Sequence, residues 1–317
     1  MGKAGIAIHG GAGAIARAAL NTEQERRYLQ ALTEIVASGQ AILAAGGSAL
    51  DAVTEAVRLL EESPLFNAGK GSVFTCSGTH ELDACIMDGR SQDAGAVAGV
   101  AHIRNPVLAA RKVLENSPHV LLSGAGAEQF AREQGLELVA SDFFSTDERW
   151  QQLQRAQATQ QTLLDHDGAA QAVPLDADRK LGTVGAVACD RAGNLAAATS
   201  TGGMTNKQPG RVGDSPLPGA GCFSNRRVAV SCTGTGEVFI RTLAAYDVAA
   251  LMEYSGYTLR QACAHVIHDK IASLEGSGGL IAIDADGNMA LPFNTQGMYR
   301  GYGYLGKSPV AAIYRVS

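Results

Sequence analysis

Short apolar runs of small residues recur in pairs along this chain, each pair joined by a turn rich in Asp and Gly. Thr183 to Asp190 and Asn194 to Ser200 surround Asp190-Arg191-Ala192-Gly193. Glu81 to Asp88 and Ala94 to Val100 flank Asp88-Gly89-Arg90, and Leu280 to Asp284 with Met289 to Pro292 enclose Asp284-Ala285-Asp286-Gly287-Asn288. Runs of this length bounded by such turns spell β-hairpins. Helical spacing is paired as well. Leu29, Leu32, Ile35 and Val36 follow the capping box Thr22-x-x-Glu25 and stop at Gly46-Gly47. Val53, Ala56, Leu59 and Leu60 follow Ser48-x-x-Asp51, with Pro64 beyond. A doubly wound parallel sheet needs strand and helix to alternate singly. Paired hairpins and paired helices instead predict an α+β fold, two packed antiparallel sheets with helices outside.

The remaining segments fill in that plan. Ala4 to His9 reads as a buried strand running into a tight turn at Gly10-Gly11-Ala12-Gly13. Asn105-Pro106 has the form of a helix start, the helix reaching about Asn116. Further helices are expected over Glu128 to Gln134 and Thr146 to about Gln160. Residues 161–182 read as a polar, acidic, mobile linker, and the core restarts at Thr183. Val228 to Ser231 reads as strand, with helices over Glu237 to Tyr254 and Thr258 to Leu274.

Composition narrows the function. The 317 residues are 46% hydrophobic and 18% charged, enough for a large core in one or two domains, and the net charge of -5 comes with no dense basic cluster. Nucleic acid is therefore not an expected partner. No run of about 18 apolar residues exists to span a membrane, and the first residues lack the apolar stretch of a secretory signal. Six scattered cysteines with no C-x-x-C pair read as free thiols of a cytoplasmic protein.

Several motifs match by letter and fail by context. Gly301 to Ser308 fits the phosphate-loop pattern, but that loop needs a helix behind it and Pro309 follows at once, so a turn between strands is expected. Gly11-Ala12-Gly13-Ala14-Ile15-Ala16 fits the dinucleotide fingerprint, yet a continuing helix stands where the second strand and its acidic residue belong. His80-Glu81-Leu82-Asp83-Ala84 lacks the second His of a zinc protease helix. His265 and His268 read as surface or core histidines, and no G-x-S-x-G elbow occurs.

Chemistry concentrates in four clusters of hydroxyls and glycines: Gly182-Thr183-Val184-Gly185, Thr199-Ser200-Thr201-Gly202-Gly203, Arg211-Val212-Gly213-Asp214-Ser215-Pro216 and Ser231-Cys232-Thr233-Gly234-Thr235-Gly236-Glu237. Each alone suits strands and turns. Together they fit a threonine that serves as both nucleophile and base once its own amine is free, because an α-amine titrates near neutrality. Thr183 is internal, so a cut is required, and Gly182 permits the strained geometry in which Thr183 Oγ1 attacks the preceding carbonyl. Arg211 and Asp214, three apart in a Gly/Pro loop, read either as a surface ion pair or as a clamp for a zwitterion.

The sequence closely resembles the isoaspartyl peptidase/L-asparaginase family, the plant-type asparaginases among N-terminal nucleophile hydrolases. The residues carrying the resemblance are Ile6 to Gly13, Pro64-Leu65-Phe66-Asn67-Ala68-Gly69, Glu81-Leu82-Asp83-Ala84, the four clusters and Pro292-Phe293-Asn294-Thr295; it weakens over residues 135–180. It implies a four-layer αββα sandwich and a precursor that cuts itself before Thr183. Residues 1–182 would become an α subunit and residues 183–317 a β subunit within one structural domain, two of each forming a heterotetramer. Thr183 would be the nucleophile and Thr201 its hydrogen-bonding neighbour. Arg211 would hold the substrate α-carboxylate and Asp214 the α-ammonium; Thr233 and Gly234 would stabilise the oxyanion, with Gly236 lining the site. No cofactor would serve catalysis. A structural sodium ion would sit on main-chain oxygens of Leu60, Glu61, Ser63, Phe66, Ala68 and Lys70.

The implied activity is hydrolysis of β-aspartyl dipeptides and of the asparagine side-chain amide through a β-aspartyl ester. Three alternatives stand beside it. Glycosylasparaginase usually has Asp-Thr-Ile-Gly at the cut, unlike Gly182-Thr183-Val184-Gly185, and carries a secretory signal. A protein-cutting threonine aspartase is a second neighbour. An unprocessed chain acting as a nucleotide-binding or scaffold protein is the third.

Overall fold

The computed structural model describes residues 3–13, 15, 21–165 and 180–315. Strand β1 (Gly5–Gly13) leads to helices α1 (Thr22–Ala44) and α2 (Ala49–Glu62), then to strands β2 (Leu82–Asp88) and β3 (Ala94–Val100). Next come α3 (Pro106–Asn116), β4 (Leu121–Ser123), α4 (Gly124–Glu133) and α5 (Asp147–Asp165). The second half opens with β5 (Lys180–Leu181), β6 (Val184–Cys189), β7 (Leu195–Thr201), β8 (Cys222–Ser224) and β9 (Val228–Gly234). Helices α6 (Gly236–Thr242), α7 (Ala244–Tyr254) and α8 (Leu259–Ala264) follow, and then β10 (Gly278–Asp284), β11 (Met289–Ala290), β12 (Gly297–Tyr304) and β13 (Val310–Tyr314).

The larger sheet runs β13-β12-β1-β6-β7-β2-β3-β4, with β5 also on β1, and the smaller runs β11-β10-β9-β8. All these ladders are antiparallel except β3 with β4. The period-two alternation of the strands builds the layers. Ile6, Ile8, Ile86, Ala186 and Ala198 face a core shared with α1, α2 and α3. Ala7, Cys85, Met87, Val187 and Ala197 face the opposite way, into a core shared with β9, β10, α7 and α8. Alanines and glycines on the inner face let the two sheets stack, which gives the αββα sandwich expected above. Among the described residues no helix is long and apolar enough to cross a membrane.

The pairs of hairpins, the helix pair α1/α2 and the turn at Gly306 between β12 and β13 stand as the sequence foretells. Four details differ. The glycine run does not turn; β1 continues through Gly13 with a register shift between His9 and Gly11, which also removes the strand-to-helix turn a dinucleotide needs. The N-cap of α1 is Asn21, boxed with Gln24, rather than Thr22 with Glu25. The helix expected over residues 237–254 breaks at Leu243, whose φ of 49° is left-handed; the first N–H groups of α7 at Ala245 and Tyr246 then donate to the Ala220 and Gly219 carbonyls. Finally, α5 extends to Asp165, so the linker begins later than residue 161. Its residues 166–179 lie outside the described residues. The helix expected from Thr258 holds, its second half in π-helical turns over His265–Ile271.

Candidate active site

β6 runs between β1 and β7 near the middle of the larger sheet, and Val184 pairs with Ser200, so Thr183 meets Thr201 at the same end. Thr183 Oγ1 donates to Thr201 Oγ1 at 3.1 Å and lies 3.4 Å from Ser215 Oγ. Thr201 Oγ1 also accepts from the Gly203 N–H at 2.9 Å, which fixes the acceptor facing the Thr183 hydroxyl.

A buried polar chain stands behind the threonine. His9 Nδ1 donates to the Thr183 carbonyl at 2.9 Å, while Nε2 lies 2.9 Å from Ser231 Oγ. Ser231 Oγ is in turn 2.7 Å from Thr199 Oγ1. Burial drives the His9 pKa down to about 3, the hydrogen bond to Thr183 opposing it. The ring is therefore neutral at physiological pH, with its proton on Nδ1. Gly185 is required here, because a Cβ would stand 2.6 Å from His9 Nε2 and against Ser231 Oγ.

Asn67 packs against the residue before the threonine and is itself bonded to the turn after β7. Its Nδ2 donates to the Gly203 carbonyl at 2.7 Å, its Oδ1 accepts from Val73 N–H at 2.9 Å, and its own carbonyl accepts from Gly202 N–H at 3.1 Å. A Cβ on Gly182 would lie 2.7 Å from Asn67 Cβ.

The other wall of the cleft carries charge. Arg211 Nε and Nη2 both reach Glu237 Oε1 at 2.9 Å. Asp214 is buried, its Oδ2 has no hydrogen-bond partner, and burial raises its pKa to about 7. Gly236 makes room for both: a Cβ there would be 2.8 Å from Arg211 Nη2 and 3.1 Å from Asp214 Oδ1. The segment bearing them is tied to the start of β2, where the Glu81 carbonyl accepts from Lys207 Nζ and Glu81 Oε2 from Gly210 N–H, both at 2.8 Å.

Gly182, Thr183, Thr201, Arg211, Asp214 and Gly234 thus line one narrow cleft, with Gly203, Met204, Gly213 and Ser215. Thr233 lies just behind it, its Oγ1 accepting from Ala12 N–H at 3.3 Å, and Gly236 underlies the charged pair. His9, Asn67, Ser215 and Ser231 carry no role in the sequence reading. Ser215 and Ser231 sit inside the hydroxyl clusters, which was the available signal; His9 and Asn67 become visible only through contacts that are remote in the chain. His80 is a core histidine, bonded to the Val73 carbonyl and Ser145, and His265 pairs with Asp269 at the surface.

The loop after α2 gathers carbonyls. Those of Leu60, Glu61 and Ser63 accept from Ser63, Lys70 and Phe66 N–H at 3.3, 2.7 and 3.4 Å, each keeping a second lone pair. Gly69 and Gly71 turn the loop with φ of 51° and 93°. Lys70 Nζ lies 5.8 Å over the Phe143 ring, so its charge is occupied outside the loop. The Glu61 side chain turns away as well, accepting from Ser200 and Val107 at 2.7 and 2.9 Å; burial raises its pKa to about 8.

Layered αββα sheets with the Thr183 hydroxyl at the head of a central strand form the architecture that the resemblance implies. A family model described as asparaginase matches residues 2–313. The isoaspartyl peptidase of Salmonella typhimurium is 67% identical over 316 residues, covering 99% of this chain and 100% of its own length. That of Escherichia coli is 66% identical over 316 residues, covering 99% and 97%. The probable isoaspartyl peptidase/L-asparaginase 2 of Arabidopsis thaliana is 42% identical over 315 residues, covering 95% and 96%. The chain belongs to the asparaginase family.

Proposed function

We propose that this chain is an isoaspartyl peptidase/L-asparaginase that cuts itself before Thr183 and then hydrolyses β-aspartyl dipeptides and the side-chain amide of asparagine. The observation that carries the reading is the Thr183 hydroxyl, aimed at Thr201 at 3.1 Å, in a cleft shared with Gly182, Arg211 and Asp214. Identity of 66–67% to the two bacterial isoaspartyl peptidases supports the substrate class.

In the continuous chain the Thr183 nitrogen is an amide. Attack of Oγ1 on the Gly182 carbonyl carbon forms a C–O bond and breaks the C–N bond, the hydroxyl proton passing to the nitrogen. Water hydrolyses the ester, leaving a Gly182 carboxylate and a Thr183 amine. That amine then takes the hydroxyl proton as Oγ1 attacks the substrate carbonyl. Thr233 Oγ1 and the Gly234 N–H meet the oxyanion; since Thr233 Oγ1 accepts from Ala12, its own proton is left to donate. Collapse returns the proton to the departing ammonia or amino acid, and water releases aspartate from the second ester. Arg211 holds the α-carboxylate and Asp214 the α-ammonium, with Gly236 giving them space.

The reading extends to two α and two β chains, residues 1–182 and 183–317, in the cytoplasm. A sodium ion fits the carbonyl-rich loop of Leu60, Glu61, Ser63, Phe66, Ala68 and Lys70, because a hard cation takes oxygen ligands and Lys70 directs its charge elsewhere. There it would stiffen the loop that carries Asn67 to Gly182. The test is release of ammonia from asparagine and of leucine from β-aspartyl-leucine by the cut protein, and loss of both in Thr183→Ala. Cut protein inactive on both substrates would overturn the assignment.

A further inference from the structure

The two charged groups of the cleft do not pair with each other. Arg211 and Asp214 stand three apart on the loop after β7 and flank one point beside Gly236, where a Cβ would be 2.8 Å from Arg211 Nη2 and 3.1 Å from Asp214 Oδ1. Yet among the described residues Arg211 makes its ion pair with Glu237, and Asp214 Oδ2 stays buried without a partner. Nε and Nη2 of Arg211 both reach Glu237 Oε1 at 2.9 Å, while no bond from Nη1 is present among the described residues.

Glu237 approaches from outside. Arg211 lines the cleft and Glu237 does not, and their side chains are 17% and 54% exposed. The turn from β9 into α6 fixes the acid in place: Thr235 N–H donates to the Ser277 carbonyl at 2.9 Å, and the fully buried Phe239 donates back to the Thr235 carbonyl at 3.2 Å. The bond from Arg211 holds the Glu237 carboxyl below its usual range, so the partner is charged at neutral pH. Charge-assisted bonds of this kind are about twice as strong as neutral ones. Without that partner, the attraction between opposite charges would draw the guanidinium across to Asp214. The two groups that hold a zwitterion would then neutralise one another.

We infer that Glu237 is a positioning residue that keeps this clamp open: by holding the Nε edge of Arg211 from outside the cleft, it leaves Nη1 for the substrate α-carboxylate and Asp214 for the α-ammonium. The inference rests on the function proposed above and adds to it a residue that does not line the cleft. The α-groups keep their charges while the side-chain amide is cut, so the clamp binds substrate and transition state alike. Loosening it should therefore raise KM and spare kcat.

Steady-state hydrolysis of asparagine at neutral pH is compared for cut wild type, Glu237→Ala, Glu237→Asp and Glu237→Gln. Alanine removes the partner, aspartate draws the charge back by one methylene, and glutamine keeps the accepting oxygen without its charge. KM should rise by about tenfold or more in the first two and by about threefold in Glu237→Gln, with kcat within about twofold of wild type. A half-exposed side chain tolerates replacement, and Glu237→Ala and Glu237→Asp test the same loss independently should one fail to fold. An unchanged KM in both would overturn the inference. A lower KM would overturn it as well, since Glu237 would then compete with substrate for Arg211. So would a fall in kcat with KM unchanged, which would mark a structural role. Cut wild type that leaves asparagine intact would instead strike the function itself, and the inference with it.

Discussion

His9 Nδ1 donates to the carbonyl of Thr183 across 174 positions of chain, at 2.9 Å and fully buried. The bond joins β1 to the head of β6 and sets the orientation of the peptide that follows the nucleophile. His9→Ala strips a donor from the Thr183 carbonyl and an acceptor from Ser231, both buried, at a cost of about 2–4 kcal/mol. Urea titration of the variant should show that loss, and self-cleavage should slow.

The same histidine gives a pH signature. Its pKa falls from 6.5 to about 3 on folding, so below pH 6.5 the unfolded chain binds a proton that the folded chain refuses. Its contribution to stability is complete above pH 6.5 and declines as the pH falls towards 3. His9→Gln lacks that term, and its stability should fall less steeply than wild type across the window, read from denaturation midpoints at several pH values.

Asp214 has the opposite sign. Burial raises its pKa from 3.8 to about 7, so its contribution is complete below pH 3.8 and is lost as the pH rises through 7. Asp214→Asn should flatten that decline. The carboxylate is needed to hold an ammonium group, so binding of an α-amino acid near pH 7 should release a proton. Calorimetry of aspartate binding in buffers of different ionisation enthalpy reads this directly; no buffer dependence would refute the role of Asp214.

Gly182 is fixed by its neighbour rather than by its own backbone. With Asn67 Cβ 2.7 Å from where a Cβ would stand, Gly182→Ala displaces the peptide to be cut from Thr183 Oγ1. Self-cleavage, followed as the fraction of intact chain with time, should slow by about tenfold or more, since each ~1.4 kcal/mol of misplacement strain costs that factor.

Much of the fold was legible because hairpins announce themselves locally: Asp190-Arg191-Ala192-Gly193 between two runs of small apolar residues admits few readings, and the runs pair as β6 and β7. The hydroxyl clusters likewise pointed to Thr183, and the family resemblance to Thr201, Arg211 and Asp214; all four share one cleft. Propensity alone could not place the break at Leu243, because the carbonyls that cap α7 come from Gly219 and Ala220. Nor could it show that β1 runs on through its glycines, whose lack of side chains is set by Phe66 against Gly10. No role was legible for His9 and Asn67 for the same reason: their partners lie at Thr183 and Gly203, far away in sequence.

Self-cleavage before Thr183 is the step on which the nucleophile and its freed amine both depend. Intact mass spectrometry of purified protein held for hours at neutral pH tests it most directly. Two species are expected, one beginning at Thr183, with Thr183→Ala remaining whole. A wild-type chain that persists at 32.8 kDa, or a cut at any other bond, would contradict the account.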